Sequence, residues 1–568
     1  MTNKLILKIN KNIHKNILIY IVLLITIFSN IIWIFLDKSV FPWDQAWYAE
    51  ISVELFYKLT QSPWDWCNGM ISAFGIKAPG IAWFGQFFVP LGELIGSIET
   101  GLLFSVLLTQ IMCLTLSYCY LFKLTNNRLI ASISCLAMPS SSLWVGLTHQ
   151  YFVEPLQTLA ITWIIFVLIC SSEWKPSKII FHLIGAFSLS MIAKITSPLY
   201  GIAPIVIILY YWFKNIKHNP IKLNFSNYFT HFRLSKFSNF FKNFNYFYLV
   251  SIFLTIITLI WYGKNGQNIV AFTKLASSGE ASLLYGEKAS FGVKILYWLT
   301  SFQRSFLGYS LTLILFVSLL YVAIRALLKF RNQVERKKNT LNHFDIYAIA
   351  SAFQIVLALS VFSLNINEEN RYLLPLMPYL VIILAWILEK INNRVIFAVI
   401  SCLLVFQLIT VNAQATGLIP PNLEFSYWLH PFNQDRTHKD ILEKVVDSTC
   451  DINDRGKYNI IGLELPWFNA NSASFFTAQQ LLKKGFRCYY TSLGYAENDQ
   501  EKAWQRMIDL NVNYFVTLSP SMDIKIDSFN KVSLPILERI KNSPMFKSIS
   551  SIDSYSLLLY KRSESKIN

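Results

Sequence analysis

The chain has 568 residues, 54% of them hydrophobic and only 15% charged, whereas a soluble protein carries about a quarter charged residues. Aromatics contribute 15%, with 16 Trp, 28 Tyr and 44 Phe, a composition suited to membrane interfaces. A soluble globular enzyme is excluded. The net charge of +17 does not mark a nucleic-acid binder either, because Lys and Arg concentrate in short loops between apolar runs, the distribution that orients membrane segments.

Lys4, Lys8, Lys11 and Lys15 precede an apolar run at 17–36, long enough to cross about 30 Å of hydrocarbon. It exceeds the roughly 7–15 apolar residues of a signal peptide and has no small-x-small cleavage site. The sequence therefore predicts a retained first span with a cytoplasmic N-terminus. Residues 37–97 follow as the first outer loop. In it Trp47, Ile51, Leu55 and Leu59 recur every fourth residue, with Glu50, Glu54 and Lys58 on another stripe. That pattern predicts an amphipathic interfacial helix with Asp44 at its start, where an acid also serves as a cap. Lys77-Ala78-Pro79-Gly80 then makes a turn into a short apolar segment, Pro79–Gly92, expected to be interfacial or re-entrant. Lys77 also fits a snorkelling lysine.

Further spans are expected at 98–122, 129–147 and 155–170, then two within 179–213 that meet at Lys194-Ile195-Thr196-Ser197-Pro198. Others follow at 247–262, 305–325, 346–364, 372–388 and 395–411. The total is about eleven. The basic connections at Lys123 and Arg128, Lys175 and Lys178, 214–246, Lys329–Lys338, and Lys390 and Arg394 all fall on the N-terminal side. The opposite face receives the loop 148–154, the Lys194 turn, a polar stretch at 263–304 and the turn Asn365–Arg371. An odd span number places residues 412–568 outside as well. There Asp, Asn and Ser rise, strand patterns occur at 460–465, 514–518 and 556–561, and helical patterns at 475–485 and 500–510. The expected architecture is a transmembrane unit, 1–411, followed by a small extracytoplasmic α/β domain, 412–568.

The eight cysteines include no Cys-x-x-Cys pair and no His-rich partner segment, so no metal site is expected. Cys113, Cys119, Cys135, Cys170 and Cys402 lie in apolar runs and suit buried small hydrophobes. Cys450 and Cys488 are free to pair in an oxidising compartment, a point the sequence leaves open.

The candidates for chemistry gather on the outer face. Glu154 sits at the lip of an apolar span, where a carboxylate is costly unless paired or wet. Lys77, Lys194 and Arg371 are cations at outer helix ends, against the usual bias, and three facing one compartment point to a shared anion. Each alone also fits an interfacial anchor. His149, beside Glu154, fits a satisfied interfacial residue better than a ligand.

The run Asp44-Gln45-Ala46-Trp47-Tyr48-Ala49-Glu50-Ile51, followed by Lys77-Ala78-Pro79-Gly80, resembles the first outer loop of the GT-C glycosyltransferases that use polyprenyl-phosphate sugars. Protein O-mannosyltransferases and lipid A aminoarabinose transferases are the relatives meant. Those enzymes have an Asp-Glu pair before a Tyr-Ala-Glu-Ile-like helix and then a Lys-Pro-Pro turn. The loop at Glu154, the Lys194 turn and Arg371-Tyr372 look similar too. Here Gln45 replaces the second acid, Trp47 stands where the aminoarabinose enzymes have a basic residue, and the turn reads Lys-Ala-Pro-Gly.

The resemblance implies an inverting transfer of a sugar from a polyprenyl phosphate to a hydroxyl of an extracytoplasmic glycolipid, polysaccharide or protein. Asp44 would be the general base and Glu154 its support or the acceptor's positioner. Lys77, Arg371 and Lys194 would hold the lipid phosphate, with Tyr48, Glu50, His149 and Tyr372 supporting. The lipid-linked sugar is a co-substrate, no cofactor is implied, and a bacterial inner membrane is the expected location. A flippase of lipid-linked sugars would need the same cations without the base. The chain shows neither repeated halves nor broken helices near the midplane, and its candidates lie at one face, which favours the enzyme.

Overall fold

The computed structural model describes residues 2–207, 246–277, 279–332, 342–391, 393–420, 429, 431–519, 527–552 and 557–563. The loop expected at 214–246 lies outside these residues except for its last position, as does most of the Lys329–Lys338 run. Among the described residues seven helices are long and apolar enough to cross a membrane, and three shorter apolar helices accompany them. The protein is an integral membrane protein. The expected total of eleven spans is not reached among the described residues.

Helix α1 (Thr2–Leu36) is followed by α2 (Trp43–Gln61) and α3 (Pro63–Ser72) in the first loop. Then come α4 (Gly80–Gly85) and α5 (Val89–Ile95), a short interrupted pair at the expected interfacial segment. The long α6 (Ile98–Thr125) has a Ser97 cap, whose hydroxyl accepts from the Thr100 N–H, and ends on Asn126 in the left-handed conformation.

The span expected at 129–147 is a correction. It is two short helices, α7 (Arg128–Leu136) and α8 (Ser142–Thr148), broken around Pro139, which lacks the N–H an unbroken helix needs. Every residue from Ile130 to His149 is buried. The segment is apolar because it lies inside the protein, the setting in which a broken backbone is tolerated at membrane depth.

Helices α9 (Glu154–Cys170) and α10 (Pro176–Ala193) follow, then the single turn α11 (Ser197–Tyr200). The division expected at Lys194–Pro198 is present. The loop expected at 263–304 is a second correction, because α12 (Tyr246–Ser277) continues into it and α13 (Phe291–Ser301) lies within it. Gly263 to Asn268 look like a loop because they are polar. The Asn265 side chain, however, donates to the Ile71 carbonyl at 3.2 Å and the Trp261 carbonyl at 3.0 Å, so this polar stretch packs on α3. A π-turn at Phe302–Leu307 joins α13 to α14 (Gly308–Asn332), and α15 (His343–Ser363), α16 (Met377–Lys390) and α17 (Arg394–Ala415) complete the helical part.

Past the last of these helices, α18 (Thr437–Thr449), α19 (Ala470–Lys484), α20 (Gln500–Asp509) and α21 (Ser533–Lys541) surround a five-stranded sheet. Its strands are β1 (Tyr458–Ile461), β2 (Tyr489–Ser492), β3 (Tyr514–Leu518), β4 (Phe546–Ile552) and β5 (Leu557–Arg562), in the order β2-β1-β3-β5-β4. β1 pairs in parallel with β2 and β3, so the connections must cross over through helices, and α19 and α20 supply them. β3 is buried at every position, as a strand covered on both faces should be. Cys450 and Cys488 form a disulfide. The sheet domain meets the helical part where Phe475 and Ala478 of α19 enter the same apolar cluster as Trp33, Phe41, Ala46 and Tyr48.

Candidate active site

Asp44 stands in the first turn of α2 but does not cap it. Its Oδ1 accepts from Lys77 Nζ at 2.6 Å. Trp43, just before it, has φ of 32°, a left-handed conformation that is sterically costly for a bulky side chain. Lys77 lies against aromatic faces, 5.1 Å from the Trp47 ring centroid and 5.9 Å from those of Tyr48 and Phe272. The turn after Lys77 is fixed by Gly80. A Cβ there would lie 2.6 Å from the Ile192 carbonyl oxygen, so α4 can start only because a glycine lets it press on the last turn of α10.

That contact brings the Lys77 turn beside Lys194, which ends α10 in extended conformation. Lys194 Nζ donates to Glu154 Oε1 at 2.5 Å and lies 4.0 Å over the Tyr372 ring. The Lys194 turn is held from within: Ser197 Oγ donates to the carbonyls of Ser190 and Lys194, and Gln157 donates to Ser197. Arg371 enters from the 3₁₀ segment Asn370–Leu376, which Pro375 and Pro378 keep from joining α16 as one regular helix. Its Nε is 2.6 Å from Glu369 Oε2 and 3.5 Å from Glu154 Oε1, and its Nη2 is 3.8 Å from Asp44 Oδ2. The guanidinium lies 4.4 Å over Phe152.

Three carboxylates (Asp44, Glu154, Glu369) and three cations (Lys77, Lys194, Arg371) therefore form one charge-balanced cluster. Glu154 is wholly buried, and its Oε2 has no hydrogen-bond partner in the protein. Burial raises the affinity of Asp44 for its proton, but Lys77 and Arg371 more than offset this and hold the carboxyl below the usual range. It is an anion at neutral pH. Among the described residues no group of three or more His, Cys, Asp or Glu is arranged to hold a metal.

Five of the residues expected from sequence thus converge: Asp44, Lys77, Glu154, Lys194 and Arg371. Tyr48 and Tyr372 lie beneath the two lysines. Glu50 and His149 do not join them. Glu50 sits more than a turn further along α2 and pairs with Arg487 of the sheet domain at 2.5 Å, and Glu54 pairs with the other guanidinium nitrogen of the same arginine. His149 is stacked on Trp33, centroids 4.0 Å apart.

Sequence reasoning missed Glu369, although it is two residues from Arg371 in a polar run. It also missed Tyr285 and Tyr495, whose hydroxyls hydrogen-bond at 2.5 Å and link the helical part to the sheet domain beside the cluster. No local pattern distinguished those two tyrosines.

The chain aligns over 95% of its length with ArnT from Cupriavidus metallidurans in the apo state, covering 97% of that chain, at TM-score 0.55 and 13% identity. The fold is GT-C-like. ArnT from the same organism bound to undecaprenyl phosphate aligns equally, at TM-score 0.54, 12% identity and 97% and 98% coverage. The archaeal oligosaccharyltransferase AglB from Archaeoglobus fulgidus, with an inhibitory peptide and a dolichol phosphate, aligns too loosely to add weight, at TM-score 0.39 and 13% identity over 97% and 75%. No protein-family model and no curated protein sequence matches the chain. Within this GT-C-like fold the charged cluster occupies the end of the helical part that faces the sheet domain.

Proposed function

We propose that the protein is an inverting glycosyltransferase that moves a sugar from a polyprenyl phosphate to a hydroxyl of an extracytoplasmic acceptor. The observation that carries this reading is Asp44, an ionised carboxylate held between Lys77 and Arg371 in a mostly buried cluster. The ArnT structure with undecaprenyl phosphate supports a lipid phosphate as the leaving group.

In the reaction the acceptor oxygen attacks the anomeric carbon and its proton passes to Asp44 as general base. The carbon–oxygen bond to phosphate breaks with its electron pair on the phosphate, and a single displacement inverts the centre. Lys77, Arg371 and Lys194 neutralise the charge gained by the departing phosphate, most effectively where water is scarce. Without ligand these cations are taken by Asp44, Glu369 and Glu154. An arriving phosphate competes for them, and loss of its counter-cations raises the proton affinity of Asp44 as a base is required. Glu154, buried with one oxygen unpartnered, is placed to orient the acceptor or the cations.

Residues 1–411 are the catalytic transmembrane unit in this reading and 412–568 its extracytoplasmic domain. The Cys450–Cys488 disulfide supports an oxidising compartment on that side, and the lysine-rich N-terminus supports a cytoplasmic start. A bacterial inner membrane fits both.

The test is turnover by the purified protein in detergent with a panel of radiolabelled polyprenyl-phosphate sugars, read as slow release of free sugar to water. Asp44→Asn should still fold and lose roughly 10²–10⁴-fold in rate. Tight donor binding with no turnover, unaffected by Asp44→Asn, would move the assignment to a flippase.

A further inference from the structure

The strained backbone at Trp43 is imposed by the sheet domain. The Asn471 side chain donates to the Trp43 carbonyl at 3.2 Å, and Ser472 Oγ donates to the Phe41 carbonyl at 2.7 Å. Strain of this kind survives only where the surroundings over-determine it, and it concentrates at functional positions. Its effect here is to carry the indole of Trp43 onto Phe529, with centroids 6.1 Å apart and planes 27° apart. Phe529 in turn meets Tyr495 edge to face at 6.1 Å. Tyr495 bonds the Tyr285 hydroxyl, yet half of its surface remains open. Trp43 and Phe529 are only partly buried.

An aromatic shelf thus runs from the residue next to Asp44 into the sheet domain. It borders the charged cluster closely enough that Asp44 and Glu369 both act electrostatically on Tyr285 and Tyr495. The cations at Asp44 come from the helical part, whereas Phe529 and Tyr495 belong to the sheet domain. A transfer between two substrates requires a second site beside the one that holds the phosphate.

The shelf has the chemistry of a sugar site. A pyranose ring has an apolar C–H face that lies flat on aromatic rings, and peripheral hydroxyls that bond phenolic oxygens. Rigid aromatic side chains make that contact at small entropic cost, each with an apolar body and, for Tyr and Trp, a polar handle. We propose that the acceptor is a carbohydrate whose ring rests on Trp43, Phe529 and Tyr495, with its reacting hydroxyl directed at Asp44. This rests on the glycosyl-transfer reading of the same cluster.

Two measurements separate the two ideas. Saturation-transfer NMR on the full-length protein in detergent would read binding of soluble tetrasaccharides of glucose, mannose and N-acetylglucosamine, with Ser- and Thr-containing peptides as controls. The same compounds would serve as acceptors in the radiolabelled transfer assay. Tyr495→Ala and Phe529→Ala, checked for wild-type melting temperature, should release sugar from the donor to water within twofold of wild type. Their KM for an oligosaccharide acceptor should rise at least tenfold, and their saturation signal should vanish. Oligosaccharide binding that depends on Tyr495, in a protein that never turns over donor, would keep the shelf and discard the transferase. Donor turnover with no oligosaccharide bound, with peptides accepted instead, or with an acceptor KM indifferent to both variants would discard the shelf and keep the transferase.

Discussion

Asp44 occupies the first turn of α2, where an acid ordinarily stabilises a helix N-terminus, yet its carboxylate turns to Lys77. Spacing alone favours the cap, and the choice against it depends on a lysine 33 residues away. Glu154 is the sharper case. It is fully buried and shares Oε1 between Lys194 and Arg371. Removing one partner of a buried ion pair leaves an uncompensated charge, at a cost of about 3–5 kcal/mol. Glu154→Gln should therefore melt well below wild type. It should also gain more thermal stabilisation than wild type from added undecaprenyl phosphate, because a phosphate can then neutralise the cations that Glu154 released. Equal ligand-induced shifts in the two proteins would show that these cations do not meet the phosphate.

At the level of elements, the approach of α4 to α10 matters most, since it sets the Lys77 turn beside Lys194. Gly80→Ala would place a methyl 2.6 Å from the backbone oxygen of Ile192, and backbone cannot rotate away as a side chain can. Overpacking of this kind costs about 1–3 kcal/mol. A lower melting temperature and donor turnover reduced at least tenfold are expected; normal values for both would mean that this crossing does not position the lysine. Much at this scale was legible in the sequence. The long apolar stretch of α6, the break at Lys194 and the strand at 514–518 appear where pattern placed them.

What pattern missed has physical causes. A buried broken helix (α7 and α8) is as apolar as a lipid-facing one, and the polar end of α12 looks like a loop until α3 is packed against it. Glu50 and Glu54 form a charged stripe that reads as solvated. Their partner Arg487 is 437 and 433 residues away, so nothing local could identify it.

Across the whole molecule, the sheet domain and the helical part are joined by groups that titrate near neutrality. Burial pushes the Glu50 carboxyl up to about 7, Arg487 opposes this, and the neighbouring charge of Glu54 adds to the rise. Burial likewise raises Glu464, in the sheet-domain loop beside Trp43, to about 7. A carboxyl whose folded pKa exceeds its unfolded value binds its proton more tightly when folded. Its contribution to stability is complete below about 4.5 and is lost as pH rises through about 7. Asp44 runs the other way: held below its ordinary value, it contributes at neutral pH and loses that contribution on acidification. The contribution of these two raised carboxyls should therefore decline between pH 5 and pH 8, by at most about 3 kcal/mol for each. Glu464→Gln stays neutral at every pH, so its melting temperature should fall less than that of wild type between pH 5 and 8. Glu50→Gln should flatten the same interval while leaving Glu54 to Arg487. If the melting temperatures of both variants follow that of wild type between pH 5 and 8, neither carboxyl retains a proton at the junction.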